Sequence, residues 1–175
     1  DERRWDDDLR GLFSNPNALI RKRAALAAGR IGDEDAINAL TNLLEKDADP
    51  DVRAMAAFAL GEVESEAGAN ALLAVLKNKS GPVELRARTI EALGKIAAAL
   101  PGEKEARQRE LGAALLEALK SESGPDGSNT SVVLMGVTAV LRSRPAHAGP
   151  TLAMFLTSSN PRVRADTANA MARLR

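Results

Sequence analysis

The chain has 175 residues, of which 45% are apolar but only 2% aromatic, with 24 basic side chains, 24 acidic side chains and no cysteine. This length predicts one domain with a core of Ala, Leu, Val and Ile, and the absence of cysteine excludes disulfides and thiolate chemistry. A formal net charge of zero argues against bulk nucleic acid or an anionic membrane as a partner, and no apolar run is long enough to span a membrane.

Short apolar triplets recur along the chain and predict a series of amphipathic helices. Their i, i+3, i+4 spacing puts the three side chains on one helical face, which a neighbouring element has to bury. The triplets are Leu9/Leu12/Phe13, Leu40/Leu43/Leu44, Leu72/Val75/Leu76, Leu115/Ala118/Leu119 and Leu152/Phe155/Leu156. Trp5 is expected on the first of these helices, packed at the end of the stack.

A tight turn with proline follows most of these triplets. The turns contain Asn15-Pro16, Asp49-Pro50, Ser80-Gly81-Pro82 and Asn160-Pro161. Asn and Asp can accept hydrogen bonds from the free N–H groups of the next helix, and Pro fits the first helical turn. Each turn is therefore expected to end one helix and begin the next.

A phrase of about a dozen residues then recurs about every 32 residues, which predicts stacked helix pairs, that is, a solenoid. We number positions within the phrase from its first branched residue. Position 0 is Ile20, Val52, Leu85, Val132 and Val163 in the five copies. Positions 0, 4, 7, 8 and 11 fall within one arc of the helix and are predicted to be buried. The glycine at position 9 (Gly29, Gly61 and Gly94) is predicted to allow close contact with the next repeat.

The fourth copy departs most from the phrase. Residues 132–141 keep the apolar pattern but lack the arginine, and the helix before them is predicted to run roughly from Glu103 to Lys120. Residues 121–130 are rich in Gly and Ser and are predicted to form a flexible loop. We predict a single domain, 1–175, with repeats at roughly 3–32, 33–64, 65–100, 101–144 and 145–175.

The order Asp-Pro, Val-Arg, Ala-Ala, Ala-Leu-Gly resembles HEAT repeats, in particular the short bacterial type first grouped with phycobilisome lyases. Residues 49–63 match best, and the resemblance covers nearly the whole chain. It implies an all-α fold, a right-handed α-α superhelix of about five helical hairpins. It also implies that the arginine at position 1 joins a ladder of polar contacts along the stack, which Val133 interrupts. These arginines are Arg21, Arg53, Arg86 and Arg164, and a phosphate-binding row is the alternative for them.

The resemblance says little about activity, because many unrelated functions use this repeat. The stretches 4–9 and 52–61 are also similar to repeat regions that accompany bacterial cyclophilin-type peptidyl-prolyl isomerases. Three functions stay open. We favour a non-catalytic protein-binding scaffold. The others are an accessory substrate-binding module of a larger enzyme such as that isomerase, and a bilin lyase-type chromophore binder.

No catalytic, metal or cofactor site is predicted. A catalytic dyad or a zinc site needs several ligands, and His147 is the only histidine, expected at the surface near a helix start. The run Asp6-Asp7-Asp8 is expected near the N-terminus of the first helix, where negative charge is favourable, with cation binding as the alternative.

The solvent side of the second helices, at positions 2, 3, 6 and 10, is expected to line a concave surface that binds a protein or peptide. Ala54 and Ala87 lie at position 2 of this surface. The candidate contact residues are Arg23, Arg30, Met55, Phe58, Glu62, Arg88, Glu91, Lys95, Met135 and Arg142. Met55 and Phe58 are expected to form an apolar spot flanked by Arg23, Arg30, Arg88 and Lys95, a pattern typical of protein contacts. The alternative is that Phe58 tips into the core between repeats.

The sequence ends within a second helix, at residues 171–175, without a polar capping element. Solenoids need polar end caps, so we expect either that more protein follows or that this face pairs end to end with another copy. Both the cytoplasm and the periplasm of a bacterium stay open as the compartment.

Overall fold

The computed structural model describes residues 4–78, 81–123 and 129–174. These residues form ten α-helices and four short 3₁₀ turns, without a β-strand, as expected for an α-α superhelix. The helices are α1 Asp7–Gly11, α2 Ala18–Ile31, α3 Ile37–Lys46, α4 Pro50–Val63, α5 Ala69–Lys77, α6 Val83–Ala99, α7 Glu105–Ser121, α8 Thr130–Ser143, α9 Ala148–Ala153 and α10 Pro161–Arg173. They form five pairs, in which the odd-numbered helices are the first helices and the even-numbered ones the second helices. Half of the predicted loop, residues 124–128, lies outside the described residues.

The turns between paired helices carry the helix caps. Asp49 caps α4 and Asn160 caps α10, each accepting from two backbone N–H groups, with a proline directly after the cap as predicted. In the first pair the expected cap is wrong, because Asn17 rather than Asn15 accepts from the backbone of α2. In the third predicted turn, Pro82 occupies the N-cap position of α6, and no side chain caps the helix there. Ser80 of the same predicted turn lies outside the described residues.

The apolar triplets of the first helices point into the stack, and most of their members are buried. Leu40, Leu44 and Leu72 are fully covered. The two large exceptions are Leu12 and Leu156, which are 41% and 39% exposed. They lie in the first and last pairs, where a neighbouring pair covers only one side of the helix.

The glycines at position 9 bring successive second helices into backbone contact. A β-carbon on Gly29 would lie 2.7 Å from the Cα of Ala59, and one on Gly61 would lie 2.5 Å from the Cα of Ala92. Gly94 meets Ala139 in the same way, at 2.7 Å from its Cα. Each alanine occupies position 7 of the following repeat, so the predicted role of these glycines is confirmed.

This contact makes the two layers of the stack unequal. The second helices pack along the whole series, α2 on α4, α4 on α6, α6 on α8 and α8 on α10. The first helices make far less contact with one another. A stack in which one layer is more closely spaced curves toward that layer. The solvent-facing side of the second helices is therefore on the concave side of the stack.

The second helices are buried on two sides, and the sequence predicted only one of them. Ala54 and Ala87 were expected at the surface, but they are only 4% and 3% exposed. Position 2 lies on the same side of the helix as positions 5 and 9, which pack on the next repeat. A helix with neighbours on both sides keeps only a narrow exposed strip, and here this strip consists of positions 3, 6 and 10.

Trp5 closes the N-terminal end of the stack. It precedes α1 instead of lying on it, because Asp6 is the N-cap and accepts from the N–H of Leu9. The indole is only 9% exposed and packs edge-on against Phe13, with 5.1 Å between the ring centroids. The expected packing of Trp5 at the end of the stack is therefore confirmed.

Three second helices end at position 12 with a left-handed backbone. Gly32 has φ 75°, whereas Glu64 and Arg144 adopt φ 56° and 48° without the freedom of glycine. A left-handed residue at the end of a helix lets the N–H groups that follow donate to the last helical carbonyls. Glycine adopts this backbone conformation at the least cost. The two non-glycine caps therefore carry backbone strain.

Candidate partner-binding surface

The exposed strip of the second helices is the surface on which the predicted contact residues lie, and we call it the second-helix face. Its members at positions 3, 6 and 10 are Arg23, Leu26, Arg30, Met55, Phe58, Glu62, Arg88, Glu91, Lys95, Met135, Thr138, Arg142, Asp166, Asn169 and Arg173. Arg23, Arg30 and Arg142 are exposed, and the other candidates are half-buried except Lys95, which is only 9% exposed.

Phe58 is covered by cations, so the expected open apolar spot is wrong in part. The Arg88 guanidinium lies 5.4 Å and the Lys95 ammonium 4.5 Å from the centroid of its ring. Both residues were expected beside the ring, yet they lie over it. Met55, one turn before Phe58, is half-buried and packs against the core. Phe58 is thus neither open to solvent nor fully within the core.

The two cations over Phe58 belong to a network of ion pairs. Lys95 pairs with Glu62 of the preceding repeat and lies 2.9 Å from Glu91. Arg88 binds Glu91 at 3.0 Å and Glu84 at 2.8 Å. Burial alone would raise the pKa of Glu91, but the hydrogen bonds and charges of Lys95 and Arg88 lower it overall. The network therefore holds its charged groups in fixed positions on α4 and α6.

The other charges of the second-helix face are less evenly matched. Its three carboxylates all have cationic partners among the described residues: Glu62 and Glu91 in the network, and Asp166 at 3.7 Å from Arg162. The cations of this face without an ion-pair partner in the described part of the chain are Arg23, Arg30, Arg142 and Arg173. Three of these arginines occupy position 10, in the first, fourth and fifth copies, whereas in the second and third copies this position holds Glu62 and Lys95, which pair with each other.

The arginines at position 1 lie at the opposite end of the second helices, next to the turns. Arg21 binds both carboxylate oxygens of Asp47 at 2.7 Å and donates to the carbonyl of Asn15 at 2.8 Å. It thereby joins the turn of its own pair to the turn of the next pair. Arg86 pairs in the same way with Glu122, which follows α7.

Arg53 and Arg164 make contacts within their own pairs. Arg53 donates to the carbonyl of Leu44 at 2.9 Å, and Arg164 donates to the carbonyls of Ser158 and Ser159 at 2.8 and 3.0 Å. The acidic partners Asp47 and Glu122 were not identified from the sequence. The only signal for Asp47 was its place in a turn, five residues before position 0.

The other residues considered for catalysis or metal binding do not come together as a site in the described part of the structure. His147 is exposed and forms the N-cap of α9, at a helix start as expected, with φ 60°. Across residues 4–78, 81–123 and 129–174, no group of three or more His, Asp or Glu side chains could hold a metal ion. In the same ranges, no helix has the length and apolar character of a membrane span.

The repeat geometry agrees with a family comparison. A family model for HEAT repeats matches residues 2–49 and 37–126, which together make up most of the chain. The chain belongs to the HEAT-repeat family. No curated protein matches this HEAT-repeat chain.

Solved structures share the fold at low sequence identity. The chain is similar to a structure described as the complex of CpcE and CpcF of phycocyanin lyase from Nostoc sp. PCC7120, with 20% identity and a TM-score of 0.76. That match covers 98% of this HEAT-repeat chain but 65% of the other. An engineered protein from the Northeast Structural Genomics Consortium matches with 22% identity and a TM-score of 0.61, over 95% of this chain and 46% of the other.

Proposed function

We propose that this HEAT-repeat protein is a non-catalytic scaffold and that its second-helix face binds an acidic segment of a partner protein. The observation that carries the proposal is the imbalance of charge on that face. Its carboxylates are all paired, whereas Arg23, Arg30, Arg142 and Arg173 have no ion-pair partner among the described residues. An acidic segment lying along the stack would supply the missing charge.

The partner we propose is a protein and not a nucleic acid, because apolar side chains lie between these arginines. Leu26, Met55 and Met135 are half-buried and offer apolar contact area at positions 3 and 6. Protein interfaces combine such apolar centres with arginine and aromatic anchors. The ion-pair network over Phe58 adds a preorganised region, which lowers the entropy cost of binding.

Charge reversal at two arginines of position 10 tests the proposal. The variant Arg30→Glu/Arg142→Glu and the wild type are used as baits in pull-downs from the source lysate at two salt concentrations. The matched control is Lys46→Glu/Lys120→Glu, which has the same change in net charge but alters exposed cations of the first helices. Circular dichroism establishes that all three proteins are folded.

We expect an acidic protein that the wild type and the control capture and that the arginine variant does not. Its capture by the wild type should weaken as salt rises, because the contact is between exposed charges. Equal capture by both variants would place the binding surface elsewhere. Met55→Asp and Phe58→Asp test the apolar part of the same face, and retained binding in both would also contradict the placement.

A second candidate function, participation in a bilin lyase, is favoured by the likeness to the phycocyanin lyase complex over nearly the whole of this chain. That likeness concerns the fold. The candidate requires a groove that binds bilin, so adding free bilin to the purified protein should shift the absorption spectrum of the pigment. An unchanged spectrum would dismiss it.

A further inference from the structure

A groove opens on the first-helix side of the molecule, away from the second-helix face. It has a volume of about 500 Å³ and lies between α5 and α7, with α6 as its floor. Its walls are Leu73, Leu76 and Lys77 from α5, and Glu110, Ala114, Glu117, Ala118 and Ser121 from α7. Among the residues that line this groove, the sequence suggested a binding role for Arg86 alone, as a member of the alternative phosphate-binding row.

The groove exists because the fourth repeat is longer than the others. Leu85 and Val132 are 47 residues apart, against about 32 for the regular repeat, and α7 has 17 residues where α5 has nine. α5 makes only slight contact with α3 and still less with α7. The side of α7 that faces the gap carries Ala114 and Ala118, which are too small to fill it.

The floor of the groove is closed and its polar groups are satisfied. Ile90 is only 1% exposed, and beside it Arg86 pairs with Glu122. Glu122 also accepts from the backbone N–H of Asn129 at 3.3 Å. Leu73 and Leu76 on the wall remain half-buried, so apolar surface stays accessible above a rigid base.

The rim of the groove carries opposite charges on its two sides. On α7, Glu110 and Glu117 lie seven residues apart and therefore on one helical face. Glu110 binds Arg107 at 2.7 Å, whereas Glu117 is exposed and has no ion-pair partner among the described residues. Lys77 lies on the opposite rim. The segment from Glu110 to Ser121 is about 16 Å long at 1.5 Å per residue, which is the length of three helical turns.

We propose that this groove binds an amphipathic helix of a partner protein, with leucine-like side chains in the groove and a basic residue beside Glu117. The length and apolar walls match helix-in-groove recognition, in which anchors at i, i+3 or i+4 and i+7 fill a hydrophobic groove. The acidic rim of α7 selects the basic residue. This site is separate from the second-helix face and does not depend on the function proposed for it.

Two synthetic helical peptides of about 15 residues test the proposal. Both carry a leucine stripe at helical spacing. The basic peptide has lysines beside the stripe, and the acidic peptide has glutamates at the same places. Titrations followed by backbone amide NMR on the full chain should show saturable shifts at α5 and α7 with the basic peptide and at least about fivefold weaker binding of the acidic one.

Glu117→Lys should reverse this preference, since it changes the sign of the rim charge. The matched control Glu45→Lys alters an exposed glutamate of α3 and should leave both affinities unchanged. Ala118→Leu, which fills the groove, should abolish binding while the protein remains folded. Absence of saturable shifts, equal binding of the two peptides, binding that survives Ala118→Leu, or shifts that arise from self-association instead of peptide would each overturn the proposal.

Discussion

Gly61 and Ala92 meet backbone to backbone across two successive second helices, so closely that a β-carbon on Gly61 would lie 2.5 Å from the Cα of Ala92. Real β-carbons essentially never come within 3.0 Å of a heavy atom from another part of the chain. The contact sets the distance between α4 and α6. It thereby fixes the separation of Glu62 and Lys95, which form an ion pair on the second-helix face of the same two helices.

Gly61→Ala should destabilise the protein, although alanine favours helix more than glycine does. The added methyl group meets backbone atoms that cannot rotate away, so α4 and α6 have to separate. We expect a loss of about 1–3 kcal/mol in the free energy of unfolding, as for other overpacked cores. Urea denaturation measures it.

The control for this substitution is Gly11→Ala in α1. A β-carbon there would meet nothing within 4 Å, and its backbone is already helical. We expect Gly11→Ala to be neutral or to stabilise by up to about 1 kcal/mol, from helix propensity alone. Equal effects of the two substitutions would show that the packing of Gly61 is not tight.

The fold could be predicted from the sequence because the repeat gives the same information several times. One copy with Gly61 suggests little, but glycine at position 9 in three copies indicates a contact between copies. The prediction that position 2 is exposed was wrong because a second helix of a solenoid packs against neighbours on two sides, whereas the apolar arc of the phrase marks only one of them. The cations over Phe58 were misplaced for a related reason, since Arg88 and Lys95 come from the next repeat.

The groove beside α7 could not be predicted from the sequence, for a different reason. Residues 101–130 were recognised as the place where the repeat breaks. However, the width of the gap depends on how α5 and α7 are spaced, and the apolar triplets of the two helices do not reveal that spacing. Ala114 and Ala118 are ordinary helix residues, and only the spacing of the helices leaves space beside them.

Glu64→Gly should stabilise the protein. Glu64 adopts φ 56° at the end of α4, at the repeat position where the first pair has Gly32 with φ 75°. A left-handed backbone costs a non-glycine residue on the order of 1 kcal/mol. We expect a gain of about 0.5–1 kcal/mol, measured by thermal or urea unfolding.

The reciprocal change provides the control for this cap. Gly32→Ala should cost about 1 kcal/mol, since its β-carbon would meet nothing within 4 Å and only the backbone conformation opposes it. Arg144→Gly should act like Glu64→Gly at the end of α8. A loss of stability on Glu64→Gly would contradict the strain that we infer from the backbone angle.

Asp47→Asn should weaken the link between the first two turns and flatten the acid dependence of stability. The hydrogen bonds from Arg21 lower the pKa of Asp47, whose side chain is only 4% exposed. A carboxyl group whose pKa is lower in the folded state than in the unfolded state stabilises the fold above about pH 4. This stabilisation is lost as the pH falls through the pKa of the folded state. We expect Asp47→Asn to cost about 1–3 kcal/mol at pH 7.

The difference in unfolding free energy between the wild type and Asp47→Asn should therefore shrink as the pH is lowered below 4. Acid dependence should persist in part, because Lys104 and Lys95 also lower the pKa values of Glu66 and Glu91 against the opposing effect of burial. Glu45→Gln is the control, because Glu45 is exposed and has no ion-pair partner in the described part of the chain. A difference that stays constant with pH would contradict the role of the Arg21 contact.

A double-mutant cycle on Phe58→Leu and Lys95→Gln should give a positive coupling energy, because the ammonium lies 4.5 Å from the ring centroid and Lys95 is nearly buried. We expect a coupling of about 0.5–2 kcal/mol, the range for cation–π pairs from exposed to desolvated sites. Urea unfolding of the four proteins measures it. Lys95→Gln also removes the ion pairs to Glu62 and Glu91, but that loss is common to both sides of the cycle and cancels.

The matched cycle with Arg88→Gln, whose guanidinium lies 5.4 Å from the ring and is more exposed, should give a smaller coupling. A coupling near zero in the Lys95 cycle would mean that the carboxylates alone hold Lys95 above Phe58 and that the ring adds nothing to its placement.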